Sequence, residues 1–235
     1  LSEIKFDLIL YATPPITLIK PISFLRKRDG AMTYLMLKDI FPQNAVDLGM
    51  FSKKSLFYKW FRKKEKQLYA ISDYIGCMSP ANIAYVRKHN PEISNVSVEL
   101  CPNAVDVTRV PVYTPRNHLN RPLRFIYGGN LGKPQGLDFL IEIIQAYKDS
   151  KDIEFYIIGD GTEYPRLKRW FDSYQPSNAI LRSRLPKDEY EELVKSADVG
   201  MIFLDNRFTI PNYPSRLLSY LQNAIPVFCA VDKTT

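Results

Sequence analysis

The stretch LRFIYGGNLGKPQGLDFLIEII, Leu123 to Ile144, decides how the chain is read. Leu123, Phe125, Ile126 and Tyr127 make a short apolar run with β character, which breaks at Gly128, Gly129 and Gly132. From Gln135 the spacing predicts a helix with Leu137, Leu140, Ile141 and Ile144 on one face. Strand, glycine turn and helix start are the parts of a phosphate cradle. Glycine lets an anion approach the backbone, and the free N–H groups of a first helical turn point at it. The spacing is neither G-x-G-x-x-G nor a loop ending in G-K-[ST]. A βα turn that simply needs glycine is therefore an equal reading of this stretch taken alone.

Outward from this stretch the same alternation repeats. In the second half, strands are expected near 123–127, 153–158, 178–182, 199–204 and 226–230, and helices near 135–149, 163–173, 186–195 and 214–223. In the first half, strands are expected at 6–11, 32–37, 74–78 and 96–101, with helices at 17–28, 52–70 and 80–89. Such alternation predicts an α/β fold with parallel sheets covered on both faces. The polar, proline-bearing run at 107–122 reads as a linker, giving domains at 1–106 and 123–235 that face each other across a cleft. Lys38-Asp39, followed by Phe41-Pro42-Gln43-Asn44, ends a strand, and open α/β sheets bind ligands at that edge. A turn capped by Asp39 and Asn44 is the competing reading.

The 235 residues are 46% hydrophobic and 24% charged, which excludes disordered and collagen-like classes. A net charge of +7 and a pI near 9.2 favour anionic partners. Much of that charge sits in a basic, aromatic helix at 52–70, where Leu56, Trp60 and Phe61 are expected to face the core and the lysines to face out. A basic face beside exposed aromatics also suits an anionic membrane surface. Nucleic acid is not favoured, because there is no reading helix, zinc spacing or aromatic-studded strand motif. Cys77, Cys101 and Cys229 lie far apart in apolar runs, the pattern of reduced, buried thiols in a cytosolic protein rather than of a disulfide frame or metal site. His89 and His118 are isolated among polar neighbours, so surface positions are expected. No run reaches membrane-spanning length and no signal-peptide pattern is present. The chain opens on a strand without methionine and stops just after another, as an excerpt of a longer protein would.

Charges at helix starts carry a second signal. Thr162 is expected to cap one helix, and Pro186 with Asp188 and Glu189 opens another with acid at its positive end. Two starts break the rule: Lys133 stands just ahead of the helix near Gln135, and Arg216 falls in the first turn after Pro214-Ser215. The helix dipole disfavours each cation by about 0.3–1 kcal/mol. Two such violations in one domain fit a pocket for a diphosphate, and two side chains extending into water are the plain alternative.

Several runs resemble one family. LKDIFPQNAVDLG (Leu37 to Gly49), YIGCMSP (Tyr74 to Pro80) and CPNAVD (Cys101 to Asp106) resemble the N-terminal domain and hinge of family-4 retaining glycosyltransferases of the GT-B fold. FIYGGNLGKPQGLDFLIEI, FYIIGDGTEYPRLK and RFTIPNYPSRLLSYLQNAIPVF resemble their nucleotide-sugar domain. The nearest branch is that of capsule and O-antigen enzymes, which includes the N-acetyl-L-fucosamine transferases. The resemblance implies two Rossmann-like, doubly wound domains, both incomplete here. It further implies transfer of a sugar, of the N-acetylated hexosamine or deoxyhexosamine kind, with retention and without a metal or other cofactor. The implied donor is a UDP-sugar and the implied acceptor a polyprenyl-diphosphate-linked saccharide. The implied location is the cytoplasm, at the inner face of the plasma membrane.

Residue by residue, Gly129 and Gly132 match the loop that takes the donor diphosphate, and Gly159 and Gly161 match the second βα loop. Arg184 and Leu185 match the loop that meets the base, and Ser215 and Arg216 match a Ser-Lys pair beside the phosphates. Lys38 and Asp39 stand where relatives have His-Asp or Arg-Asp facing the donor sugar. The chain departs from the pattern at Asn130 and Gln135, which replace an arginine and a lysine, and at Ser219, which replaces a ribose-binding glutamate. Arg216, Lys133 and Arg207 are then the cations left to stabilise a leaving diphosphate. Two alternatives stay open: a sugar-nucleotide epimerase of the same fold, and a non-catalytic nucleotide-sugar-binding subunit.

Overall fold

The computed structural model describes residues 3–106 and 121–235, so residues 107–120 of the expected linker, with His118, lie outside the described residues. The chain divides into two units. The first holds the residues up to Asn103 together with Arg207–Tyr213 and Lys233–Thr235; the second holds Ala104–Asn206 and Pro214–Asp232. The segment Arg207–Tyr213, expected in the second half's domain, thus packs with the first unit. Asp47 accepts hydrogen bonds from the Thr209 N–H and hydroxyl at 2.8 and 2.9 Å, and the Asn82 amide donates to the Pro211 carbonyl at 2.8 Å.

In the first unit, β1 (Leu8–Ala12), β2 (Met32–Leu37), β3 (Tyr74–Cys77) and β4 (Ser97–Leu100) form an all-parallel sheet in that order. The connections carry α1 (Ile19–Asp29), α2 (Gln43–Asp47), α3 (Leu56–Ala70) and α4 (Pro80–His89). α2 is absent from the sequence reading because Pro42 and Asn44 look like turn residues, yet this single turn of helix buries Gln43 and Ala45.

α3 corrects one expectation. Its buried residues are Glu65, Leu68 and Tyr69, while Leu56 and Trp60 are 81% and 49% exposed. At 3.6 residues per turn, Leu56 and Trp60 share a face roughly opposite to Glu65. Phe61 alone of the expected three turns inward, into a ring cluster with Phe41 and Phe51. Burial of Glu65 is made tolerable by Arg62 at 2.6 Å and the Tyr69 hydroxyl at 2.8 Å. The cysteines depart from expectation too: all three are free, but Cys229 is exposed and Cys101 half-buried, leaving only Cys77 inside. His89 is at the surface, stacked on Tyr85.

In the second unit, β5 (Leu123–Asn130), β6 (Ile153–Asp160), β7 (Ala179–Arg182), β8 (Val199–Phe203) and β9 (Val227–Ala230) pair in parallel in the order β7-β6-β5-β8-β9. α5 (Leu137–Ala146), α6 (Tyr164–Tyr174), α7 (Lys187–Ser196) and α8 (Arg216–Gln222) cover the two faces. Alternation along β5 sends Tyr127 to a cluster with Leu137, Leu140, Ile144 and Leu167, and Ile126 to one with Val194, Tyr220 and Ile225. Each fully buried aliphatic side chain contributes about 1.5–3 kcal/mol, so these faces set the register of the whole unit. The order reverses direction at β5, whose neighbours are β6 on one side and β8 on the other. That switch point is where open α/β sheets leave a crevice beyond their strand ends.

Candidate functional site

β5 and β6 run in register to their ends, Gly129 beside Gly159 and Asn130 beside Asp160. A Cβ on Gly159 would lie 1.9 Å from the Gly129 carbonyl oxygen, and one on Gly161 would lie 2.6 Å from the Leu131 carbonyl oxygen. The two glycine turns therefore meet backbone to backbone. Gly129 has φ +120°, a region that side chains avoid. Asn130 folds over both turns, its amide lying 3.0 Å from where a Cβ of Gly132 would stand.

The helix after β5 starts later than the sequence suggests. Lys133–Gln135 form a single 3₁₀ turn, Gly136 has φ +56°, and α5 begins only at Leu137. The reason is packing: the Pro134 carbonyl accepts from the Asp205 N–H at 2.9 Å, and a Cβ on Gly136 would meet the Asp205 backbone at 3.2 Å. Lys133 thus opens the 3₁₀ turn, four residues ahead of α5, with its side chain exposed, so it does not stand in a helix's first turn. Thr162 is not a cap; Glu163 takes the cap position of α6 without a side-chain hydrogen bond. Asp188 and Glu189 do fall in the first turn of α7, with Pro186 at its cap.

Arg216 is brought to the glycine turn. Its Nη2 donates to Gln135 Oε1 at 3.1 Å and lies 3.6 Å from the position of a Gly129 Cβ. Its guanidinium carbon stands 4.3 Å from the centre of the Tyr127 ring, a cation–π contact. Nη1 is buried without a hydrogen-bond partner among the described residues. Leaving a buried charged donor unmet costs about 1–3 kcal/mol or more, and native structures keep such groups chiefly where something else binds. Beneath the turn, Tyr190 fills the space that a Gly128 side chain would take, and Tyr220 does the same at Gly200. Burial raises the pKa of Tyr127 and Tyr190, while Arg216 pulls both down by less, so both remain neutral phenols.

The other expected residues fall in three places. Arg184 and Leu185 follow β7 at the same carboxyl edge, the arginine exposed. Ser215 caps α8 without a side-chain bond. Ser219 faces a separate hollow with Asp106, Lys187, Asp188 and Glu191, which no residue of the glycine turns lines. Lys38, Asp39 and Arg207 belong to the first unit. There Lys38 donates to Asn103 at 2.7 Å, and the buried Thr13 hydroxyl bonds the backbone of both Lys38 and Asp39. Asp39 is open to solvent by area, yet the protein around it still raises its carboxyl pKa by desolvation. Arg207 lies 3.9 Å from the position of a Gly49 Cβ, within the first unit. Thr13, Tyr127 and Tyr190 were not singled out from sequence, where an apolar strand and a lone Thr-Pro look unremarkable.

No protein-family model matches the chain. A curated relative, probable glycosyltransferase WbjE of Pseudomonas aeruginosa, is 25% identical over 234 residues, covering 97% of this chain and 58% of that protein. The chain therefore spans little more than half the length of this relative. Among solved structures, sucrose-phosphate synthase of Thermosynechococcus elongatus matches with a TM-score of 0.70 at 15% identity, over 96% of this chain and 56% of that one. The lipopolysaccharide glycosyltransferase WaaG matches at 0.60 and 15% identity, over 88% and 61%. The pneumococcal O-GlcNAc transferase GtfA, solved with UDP and GlcNAc, matches at 0.60 and 12% identity, over 88% and 39%. These likenesses establish that the two parallel-sheet units have the GT-B fold.

Proposed function

We propose that the chain acts in a retaining glycosyltransferase that moves a sugar from a nucleoside-diphosphate donor to a lipid-linked saccharide in surface-polysaccharide synthesis. The observation that carries this reading is the buried, unpartnered Arg216 Nη1 beside two touching glycine turns at a sheet's switch point. The similarity to WbjE, and a fold shared with a UDP- and GlcNAc-bound transferase, support the substrate class.

In this reading the bond from the anomeric carbon to the diphosphate oxygen breaks, and the acceptor hydroxyl attacks from the same face. Its proton passes to the departing phosphate oxygen. Amides of Gly129 to Gly132 and the Arg216 guanidinium stabilise the charge that develops there, with Lys133 as an exposed second cation. Lys38 and Asp39, held by Thr13, are proposed to meet the donor sugar or acceptor. Arg184, Leu185 and Ser219 are proposed to contact the nucleoside.

The proposed location is the inner face of the cytoplasmic membrane. No helix of the described residues is long and apolar enough to cross a bilayer. The support is the outer face of α3, where Leu56, Phe57 and Trp60 stand exposed among Lys59 and Lys63.

Calorimetric titration of UDP tests the site. Saturable binding is expected, weakened about tenfold to a hundredfold by Arg216→Ala, as for loss of a charged hydrogen bond. Absence of binding by UDP, GDP and ADP alike removes the reading.

A further inference from the structure

Arg216 is a long side chain at the start of a seven-residue helix, yet only one of its terminal nitrogens is left without a partner. Three contacts fix the rest of it. Gln135 Oε1 accepts from Nη2 at 3.1 Å, the Tyr127 ring lies under the guanidinium at 4.3 Å, and the Gly129 turn closes the remaining side. Tyr127 is itself held: its hydroxyl donates to the Asn130 carbonyl at 2.8 Å, with Gln135 Oε1 a second acceptor at 3.2 Å. Gln135 thus ties the arginine from α8 and the tyrosine from β5 through one oxygen.

We propose that Gln135 is a positioning residue, which with Tyr127 clamps the Arg216 guanidinium against the Gly129 turn so that its charge is fixed where a diphosphate would bind. This rests on the diphosphate reading of the site and deepens it. A neutral amide suits the task for a physical reason. A lysine at this position would repel the guanidinium, and a glutamate would pair with it and neutralise the charge that the ligand needs. An amide oxygen accepts from Nη2 while leaving the full positive charge on the arginine. Held in one rotamer, the arginine meets an anion without the loss of side-chain freedom that a long flexible cation otherwise suffers on binding.

The test is a double-mutant cycle read by calorimetry, with UDP and inorganic pyrophosphate as probes. Gln135→Leu is expected to weaken both probes about tenfold, and to have no further effect in an Arg216→Ala background, because its only route to the ligand is through that arginine. Gln135→Glu, nearly the same size, is expected to weaken pyrophosphate at least as much although it keeps an acceptor. A Gln135 that merely fills space gives a different pattern: Gln135→Glu binds like wild type, or the Gln135→Leu loss persists in full without Arg216. Either result overturns the proposal while leaving the diphosphate site standing. If wild-type protein binds neither probe, the site reading fails first and the proposal with it. Unfolding midpoints of the five proteins keep a folding defect from passing as a binding one.

Discussion

Gly159 and Gly129 meet so closely that a methyl group on the first would lie 1.9 Å from the carbonyl oxygen of the second. Backbone cannot yield as a flexible side chain does. Gly159→Ala is therefore expected to destabilise the protein by about 3 kcal/mol, the upper range for overpacking, and to loosen the paired turns. Urea unfolding measures the loss. A cost under about 0.5 kcal/mol, typical of a surface change, would mean that the turns part easily and do not form a rigid cradle.

Glu65 predicts a pH dependence with a definite sign. Burial raises its pKa above the ordinary carboxylate value, with Arg62 and Tyr69 opposing that shift only in part. A raised folded-state pKa means that the stabilisation is fully present below the unfolded value and is lost as pH rises through the folded one. The stability of wild type relative to Glu65→Gln should therefore fall as pH rises above about 4.5. Urea midpoints at four pH values would show it, and a relative stability that climbs with pH contradicts the assignment.

Asp198 is buried and takes both guanidinium nitrogens of Arg121, at 2.7 and 2.9 Å, as well as the Arg124 N–H at 2.8 Å. It pins the start of β5 to the start of β8. Asp198→Ala leaves those donors unmet, so a loss of about 2–3 kcal/mol is expected. Asp198→Asn, which keeps an acceptor, should recover part of it. Equal midpoints for both variants and wild type would dismiss the pin.

The outer face of α3 predicts lipid binding. Leu56 and Phe57 are 81% and 71% exposed, and the Lys64 ammonium lies 5.6 Å from the Trp60 ring. The protein should sediment with phosphatidylglycerol vesicles and not with phosphatidylcholine ones. Replacing Leu56, Phe57 and Trp60 by serine should abolish this, and raised salt should weaken it by screening the lysines. Sedimentation of the triple variant with anionic vesicles as strong as wild type would leave this face without a role.

Much of the candidate site was legible in the chain. Gly129, Gly132, Gly159 and Gly161 stood out because only glycine fits a strand end that meets another backbone. Arg216 stood out because a cation in a first helical turn opposes the dipole. Lys133 was misjudged for a long-range reason: the Asp205 backbone holds the Pro134 carbonyl and delays the helix to Leu137. Leu56 and Trp60 were placed inward from hydrophobicity alone, whereas the face the helix buries is that of Leu68 and Tyr69, with Glu65 paired to Arg62. Arg207 was grouped with Arg216 and Lys133 by charge, and belongs to the other unit.

Local periodicity and turn chemistry, both properties of near neighbours, determined the alternating strands and helices, the parallel sheets and the glycine turns. Which distant pieces meet was decided by the strand order. β8 inserts beside β5 rather than beside β7, so the chain leaving β8 returns over the first glycine turn and delivers Arg216 to Gln135 and Tyr127. No short-range pattern encodes that choice, because it follows from burying both faces of the sheet at once.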